Sequence, residues 1–286
     1  MFSPEWLALR EPADAAARSV ALAESVVDGR SGAEPIRVLD LAAGTGANAR
    51  YLVDRLPLEQ DWLLTDIDLS LLALVPERMS AWARIRGCVV STDEHGVRVT
   101  GASRPEWRLA TRRVDLSALD DPSLFANRNL VTGSALLDLV SEAWLRTLAA
   151  RCREAGAAAL FALTYDGRIE CLPADPEDQT IRDLVNRHQR TDKGFGPALC
   201  PDAVAAAERC FGSEGYHVRR ELSDWMLPAD TRELQRQLVE GWAGAAREVS
   251  PAHSAPIEGW RSRRLALIDR GKSRIIVGHE DLAAIR

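Results

Sequence analysis

The sequence of 286 residues lacks any apolar run approaching the ~20 residues that a membrane span needs. Its first residues carry Glu5, Glu11 and Asp14 and have neither the basic start nor the apolar block of a secretory leader, so a cytoplasmic location is expected. The five cysteines, Cys88, Cys152, Cys171, Cys200 and Cys210, form no C-x-x-C pair and no Cys/His cluster at zinc spacing. Reduced thiols and no metal site are expected. There is no internal repeat and no low-complexity tract. An excess of positive charge is also missing: 42 acidic residues face 36 basic ones, for a net charge of −6. A phosphate polymer would be repelled on average, so nucleic acid is disfavoured as a partner.

What is present is globular. Hydrophobic residues make up 46% and charged residues 27%, which suits a single domain over 1–286 with a core needing no disulfides or metals. Alanines with Val20, Leu22 and Val26 predict a helix over Pro12–Val27 in an N-terminal segment, residues 1–30, broken at Asp28–Gly32. Ile36–Leu41 reads as a short buried strand that runs into a glycine turn. Then follow a helix over Asn48–Leu56, a strand over Trp62–Thr65 ending in Asp66 and Asp68, and a helix over Ser70–Ala83. Val89-Val90 and Val97–Thr100 flank Asp93–Gly96 as a hairpin. A third core strand, Leu109–Val114, closes on Asp115. A fourth covers Asn129–Thr132, a helix runs from about Leu137 to Cys152, and a fifth strand covers Ala157–Leu163. Residues 166–200 read as a long polar, irregular stretch of the kind that is usually functional. Tyr216–Leu222 reads as a strand, 229–248 and 256–269 as helices, and Arg274–Val277 as a last strand. This alternation predicts an α/β fold, a mostly parallel sheet with helices on both faces.

The most informative segment is Val38-Leu39-Asp40-Leu41-Ala42-Ala43-Gly44-Thr45-Gly46. A strand feeds a Gly-x-Gly turn that opens a helix, a ligand site at the carboxyl end of a first strand. Gly44-Thr45-Gly46-Ala47-Asn48-Ala49 also satisfies the dinucleotide pattern. Asp40 argues for a different ligand, because a carboxylate at the strand's end suits a cation and repels a pyrophosphate. S-adenosylmethionine carries an ammonium and a sulfonium and no phosphate. Asp66, about twenty residues on, can accept from both ribose hydroxyls of either ligand.

The segment from Val38 to Gly46 resembles the first motif of class I, Rossmann-like S-adenosylmethionine-dependent methyltransferases, usually V-L-D-L-G-C-G-T-G. Leu63–Asp68 resembles their second motif. Asp115-Leu116 resembles the acidic motif around the adenine, and Asn129–Ser134 with Leu137-Asp138 the fourth-strand motif that faces sulfonium and acceptor. The likeness covers 36–165 well, and 216–280 by topology alone. It implies a seven-stranded, mostly parallel sheet with an antiparallel C-terminal strand. It implies a cofactor core over 36–165, closing strands over 216–224 and 272–280, and an acceptor lid from 166–200 and 225–270. It also implies S-adenosylmethionine as cofactor, held by Asp40, Ala42, Gly44, Gly46, Asn48, Asp66, Ile67, Asp115, Leu116 and Ser134, with S-adenosylhomocysteine as product. Ala42 departs from the family's glycine, and its methyl group narrows the room beside the methionine moiety.

Other readings stay open for single residues. Asp40 and Asp66 can instead bond backbone amides of the turn. Asp68 reads as the N-cap of the following helix, Asp115 as a ligand contact or a turn residue, and Asn48 as a cap or a partner of the methionine carboxylate. Arg18 can pair with that carboxylate or lie in solvent. For catalysis the candidates are His188, in the charged, glycine-bearing stretch Asn186–Pro197, and Asp138, at the helix after the fourth strand. His217 and His279 read as structural. The expected activity is in-line methyl transfer to an O or N atom of a small molecule or peptide, and the positive charge of Asn186–Pro197 hints at an acidic acceptor. The alternatives are an NAD-dependent oxidoreductase, a non-catalytic protein of the same fold, or another displacement using the same cofactor.

Overall fold

The apolar run Ile36–Leu41 becomes the central strand because both of its faces are covered. The computed structural model describes residues 3–27, 34–56, 59–94, 96–101 and 104–286. The expected break at Asp28–Gly32 and residue His95 of the hairpin turn lie outside them. Strand β1 (Ile36–Leu41) pairs in parallel with β2 (Gln60–Asp66) and with β6 (Leu130–Ser134). Outside these, again parallel, lie β5 (Arg104–Arg113) beside β2 and β7 (Ala158–Leu172) beside β6. β10 (Arg274–Ile285) runs antiparallel to β7, and β8 (His217–Leu222) and β9 (Trp225–Leu227) pair with its far side. These seven strands and β9 are extended at the opposite edge by the expected hairpin, β3 (Val89–Asp93) and β4 (Gly96–Gly101), giving the order β3-β4-β5-β2-β1-β6-β7-β10-β8. The chain reverses its direction of travel between β1 and β6, so their carboxyl ends form the switch-point crevice of an open α/β sheet.

Helices cover both faces, as expected. One face carries α2 (Val20–Ser25), α3 (Ala47–Leu52) and α5 (Val75–Ile85), packed through Leu22, Leu52 and Met79. The other carries α6 (Glu142–Ala155) and α8 (Ala203–Ser213), packed through Leu145, Leu148 and Phe211. The short α4 (Leu69–Leu72) follows β2. A third core lies beyond the sheet. There α7 (Asp178–Gln189), α9 (Arg232–Val249) and α10 (Ser254–Asp269) bury Ile181, Val185, Trp242 and Trp260 against the far parts of β7, β9 and β10, and α1 (Pro4–Ala17) joins them through Trp6, Leu9, Ala13 and Ala17. Among the described residues no helix is long and apolar enough to cross a membrane.

Several boundaries differ from expectation for identifiable reasons. The single helix over Pro12–Val27 is two. Ser3 starts α1 by accepting the Trp6 N–H at 3.1 Å, and Pro12 lies inside it. The packed face of α1 outweighs the one backbone bond that Pro12 deletes. Ser19 then caps α2 by accepting the Leu22 N–H at 3.0 Å. The helix over Asn48–Leu56 stops at Leu52, and that over Ser70–Ala83 splits because Pro76 restarts it in the first turn of α5. A 3₁₀ turn, Leu137–Leu139, precedes the Ser141 cap of α6. Residues 166–200 are not irregular throughout: β7 runs to Leu172, and Ile181 and Val185, one turn apart, anchor α7. The segments α8 and β9 were not anticipated.

Beyond the end of β6, strands β7 and β10 continue as a ribbon, kinked where Leu163 takes φ 55°. The Asp281 carboxylate accepts the Leu163 N–H at 2.8 Å and the Ser19 N–H at 2.9 Å, tying the kink to the junction of α1 and α2. Further along the ribbon, where the register shifts between Val277 and His279, a Cβ on Gly278 would stand 2.2 Å from Asp166 Oδ1 and 2.7 Å from Arg168 Cβ. Gly278→Ala is therefore expected to destabilise the fold by about 1–3 kcal/mol, measured by denaturant unfolding.

Candidate functional site

The glycine turn is built from both of its flanks. Ala42 follows β1 with φ 52°, a left-handed conformation that costs an L-residue about 1–2 kcal/mol and favours glycine. Gly44 and Gly46 follow with φ 53° and 82°, and Gly46 opens α3. Asp66, at the end of β2, accepts the Gly44 N–H on Oδ2 at 2.8 Å and the Asp68 N–H on Oδ1 at 2.9 Å. It thus holds the turn through backbone amides and keeps spare lone pairs. Asp68 caps α4 by accepting the Ser70 N–H at 2.8 Å, as expected. Ile67 is exposed beside them.

Below the turn lies a buried polar chain. Asn48 donates from Nδ2 to Asp40 Oδ1 at 2.6 Å and to Thr132 Oγ1 at 3.2 Å, and Thr132 donates to the Leu160 carbonyl at 2.7 Å. The donors fix the Asn48 amide, so its Oδ1 faces away, and neither that atom nor Asp40 Oδ2 has a hydrogen-bond partner. Burial pushes the Asp40 carboxyl up to about 7, against the pull of Asn48's hydrogen bond and the charge of Arg18. Arg18 is 7% exposed, stacks on Tyr51 at 4.0 Å and leaves Nε unpartnered. Burial also lowers its pKa, and the charges of Asp281, Tyr51, Asp40 and Asp14 oppose this.

Helix α1 closes over the turn. Glu11 accepts both Arg50 Nε and Nη2 at 2.7 Å, while Arg50 Nη1 donates to the Thr45 carbonyl at 2.7 Å. Arg78 donates to Thr45 Oγ1 at 3.1 Å and to the Pro4 carbonyl at 3.3 Å. Leu7 Cδ1 lies 3.2 Å from where a Gly44 Cβ would be.

Toward β7 the crevice becomes aromatic. Asp138 is 7% exposed with Oδ1 unpartnered. Burial pushes its carboxyl up to about 6, opposed by its own backbone amide, the charge of Arg10 and the Tyr165 amide. His279 pairs with Tyr165 across β10 and β7, their ring centroids 6.2 Å apart, and its ring stands 5.2 Å from that of Trp225. Its Nδ1 is unpartnered, and burial with Arg10 alongside lowers its pKa to about 3. Arg10 lies over the Trp225 ring at 4.9 Å and pairs in bidentate fashion with Asp14, which also accepts Trp225 Nε1 at 3.0 Å.

The structure brings Asp40, Ala42, Gly44, Gly46, Asn48 and Asp66 together at the turn. Ser134 ends β6 beside Ala135, which takes φ 53°. Asp115 is exposed and accepts the Ser117 N–H at 2.9 Å; Leu116 is buried, its carbonyl accepting Trp144 Nε1 at 2.6 Å. His188 lies in the last turn of α7, with Nε2 2.9 Å from Glu248 and Nδ1 3.5 Å from Lys193. None of its hydrogen-bond partners belongs to the crevice. Sequence reasoning misses Arg10 and Tyr165, and reads Trp225 as core and His279 as structural. No local motif marks them, because strand pairing and helix packing assemble them.

No protein-family model and no curated protein matches the chain. Solved structures of similar shape include the cyclopropane synthase MmaA2 from Mycobacterium tuberculosis, 12% identical over 93% of this chain and 82% of that one, with a TM-score of 0.44. The mycolic acid cyclopropane synthase CmaA1, complexed with SAH and CTAB, is 10% identical over 93% and 83%, at 0.46. Geranyl diphosphate methyltransferase in complex with SAM is 10% identical over 93% and 85%, at 0.42. No residue of this chain takes a role from these likenesses.

The raised Asp40 carboxyl has a consequence for stability. Its ordinary value is 3.8, so the folded protein binds this proton more tightly than the unfolded chain. The resulting stability is present below about pH 4 and is lost as pH rises toward 7. Asp40→Asn is expected to match the wild type near pH 4 and to melt higher at pH 8 by roughly 2–5 °C, read by calorimetric melting.

Proposed function

We propose that the chain is an S-adenosylmethionine-dependent methyltransferase acting on an O or N atom of a small molecule or peptide. The observation that carries this reading is the set of unpartnered buried atoms beside the glycine turn: two acceptors, Asp40 Oδ2 and Asn48 Oδ1, and one cationic donor, Arg18 Nε. Buried polar atoms are nearly always paired. An α-amino acid zwitterion supplies the complement, its ammonium to Asp40 and Asn48 and its carboxylate to Arg18. A pyrophosphate, which only accepts hydrogen bonds, would meet two acceptors, one of them a carboxylate. The groups present therefore fit the methionine end of S-adenosylmethionine and do not fit a dinucleotide phosphate.

In this reading Asp66 offers its remaining lone pairs to the ribose, and Ile67, Asp115 and Leu116 border the adenine. Ala42, Gly44 and Gly46 let the backbone approach the thioether, and Ser134 borders the sulfonium. When bound, the cofactor supplies an electrophilic methyl group on a sulfonium. The chain's residues do the rest. The cap formed by α1, α7, α9 and α10 covers the acceptor and excludes water, and the crevice holds the attacking atom in line. Asp138, buried with a free oxygen, takes the acceptor's proton. His188, engaged by Glu248 and Lys193, braces α7 against α9.

Calorimetry on the purified chain is expected to show binding of S-adenosylhomocysteine and none of NAD. Asp40→Asn is expected to weaken S-adenosylmethionine about tenfold, the worth of one charge-assisted hydrogen bond. Retention of NAD with no response to millimolar S-adenosylhomocysteine would overturn the reading.

A further inference from the structure

The ribbon of β7, β10 and β9 has two unlike faces. Ile169, Cys171, Leu227, Ile275 and Val277 turn inward to the third core. On the outer face the register sets Leu172 beside Arg274 and Met226 beside Ile276, and Leu172 and Met226 are 46% and 66% exposed. Two adjoining hollows open there. The larger, of about 450 Å³, is lined by Leu172, Pro173, Ala229, Gly271, Lys272 and Arg274. The smaller, of about 200 Å³, shares Leu172 and Arg274 and continues over Met226, Pro228 and Ile276. The larger one lies within the range of small-molecule sites, roughly 300–1,000 Å³.

The charge of the larger hollow is one-sided. Lys272 and Arg274 line it, and Arg232 of α9 reaches its rim, with Nη2 3.0 Å from where a Cβ on Gly271 would be. Among the described residues, these three side chains form no ion pair and no hydrogen bond. Nearby arginines are neutralised: Arg236, one turn along α9, pairs with Asp269, and Arg263 and Arg264 of α10 pair with Asp175 and Asp178. Asp230, next to Ala229, and Glu170, opposite Ile276, line neither hollow. In a chain of net charge −6, three unneutralised cations around one hollow focus a local positive field that draws anions.

We propose that this outer face of the ribbon binds a small amphiphilic anion. Its carboxylate or phosphate-monoester head is held by Lys272, Arg274 and Arg232, and its apolar tail lies over Leu172, Met226 and Ile276.

Both halves of the surface are needed to select this class. A cationic or neutral amphiphile would cover the same apolar strip but leave the cations unneutralised, or add to them. A bare inorganic anion would meet the cations and leave Met226 and Ile276 in water. From Arg274 to Ile276 the strand advances about 7 Å, which a tail of roughly five or six carbons covers. The guanidinium of Arg274 borders both hollows, so it sits where head and tail join. The site is also separate from the crevice. Arg274 lies seven residues before Asp281, the residue that fixes the Leu163 kink, which is roughly 20 Å of strand. A ligand of this size does not reach the glycine turn, and the inference needs no part of the methyltransferase reading.

Calorimetry on the full chain tests it with four compounds: hexyl phosphate, hexanoate, hexyltrimethylammonium and inorganic phosphate. At least one hexyl anion is expected to bind tenfold or more tighter than inorganic phosphate and than the hexyl cation, and the tighter of the two anions identifies the head. The double variant Lys272→Gln with Arg274→Gln is expected to weaken that anion at least tenfold without lowering the melting temperature, and Arg232→Gln alone to weaken it about threefold. Met226→Gln is expected to weaken the hexyl anions about threefold and to leave inorganic phosphate unchanged. The inference is overturned if inorganic phosphate or the hexyl cation binds as tightly as the hexyl anions, or if neither anion binds at millimolar concentration. It is equally overturned if the charge variants bind like the wild type, or if sedimentation shows that Met226→Gln abolishes a self-association, since the face would then belong to a second copy of the chain.

Discussion

A carboxylate sealed under the end of the central strand organises the crevice. Asp40 has no solvent exposure, one oxygen in a hydrogen bond to Asn48 and the other in none. Such a group is costly unless something completes it. The fold surrounds it with a relay from Asn48 to Thr132 to Leu160 that joins α3, β6 and β7, and with the nearby charge of Arg18. The relay fixes the Asn48 amide and so decides which of its atoms is left without a partner. A neutral residue at Asp40 would leave the strand order intact and remove the charge buried beneath the turn.

Strain gathers at the same edge. Ala42, Ala135 and Leu163 all have left-handed backbone, at φ 52°, 53° and 55°; the first two follow β1 and β6 at their carboxyl ends, and Leu163 interrupts β7 at the same level. Non-glycine residues hold such conformations only where the surroundings overdetermine them. At Leu163 the Asp281 clamp does so. At Ala135 the N–H is held by the Ala162 carbonyl at 2.9 Å, and at Ala42 the turn that follows is pinned by Asp66. Three adjacent strands thus turn away at one line, which opens the crevice between them.

Much of this was legible in the sequence, and what was not has a common cause. Ile36–Leu41, the glycine turn, Asp66 and the Asp68 cap are local: propensity, spacing and one side chain decide them, and the structure repeats them nearly residue for residue. The expected strands Ala157–Leu163 and Arg274–Val277 were too short because their extensions pair with each other across more than a hundred residues. The polarity of 178–189 concealed α7, whose few apolar residues are stabilised by α9 rather than by its own sequence. The alternation Ala203, Val204, Ala206, Ala207, Cys210, Phe211 was a helical signal within reach. The aromatic cluster was not, since Arg10, Asp138, Tyr165, Trp225 and His279 come from five separate elements.

The two halves of the crevice share one cover, and the spacing along α1 shows how. Glu11 is tied to Arg50, which holds the Thr45 carbonyl of the glycine turn, whereas its neighbour Arg10 is tied to Asp14 above Trp225 and the aromatic walls. Consecutive residues on a helix point about 100° apart. A single helix laid across the switch point can therefore fasten to the glycine turn with one residue and cover Trp225 with the next. Its junction with α2 is held from below by Asp281, the residue that also fixes the Leu163 kink. The glycine turn and the aromatic cluster are thus held to one helix through the same few polar contacts.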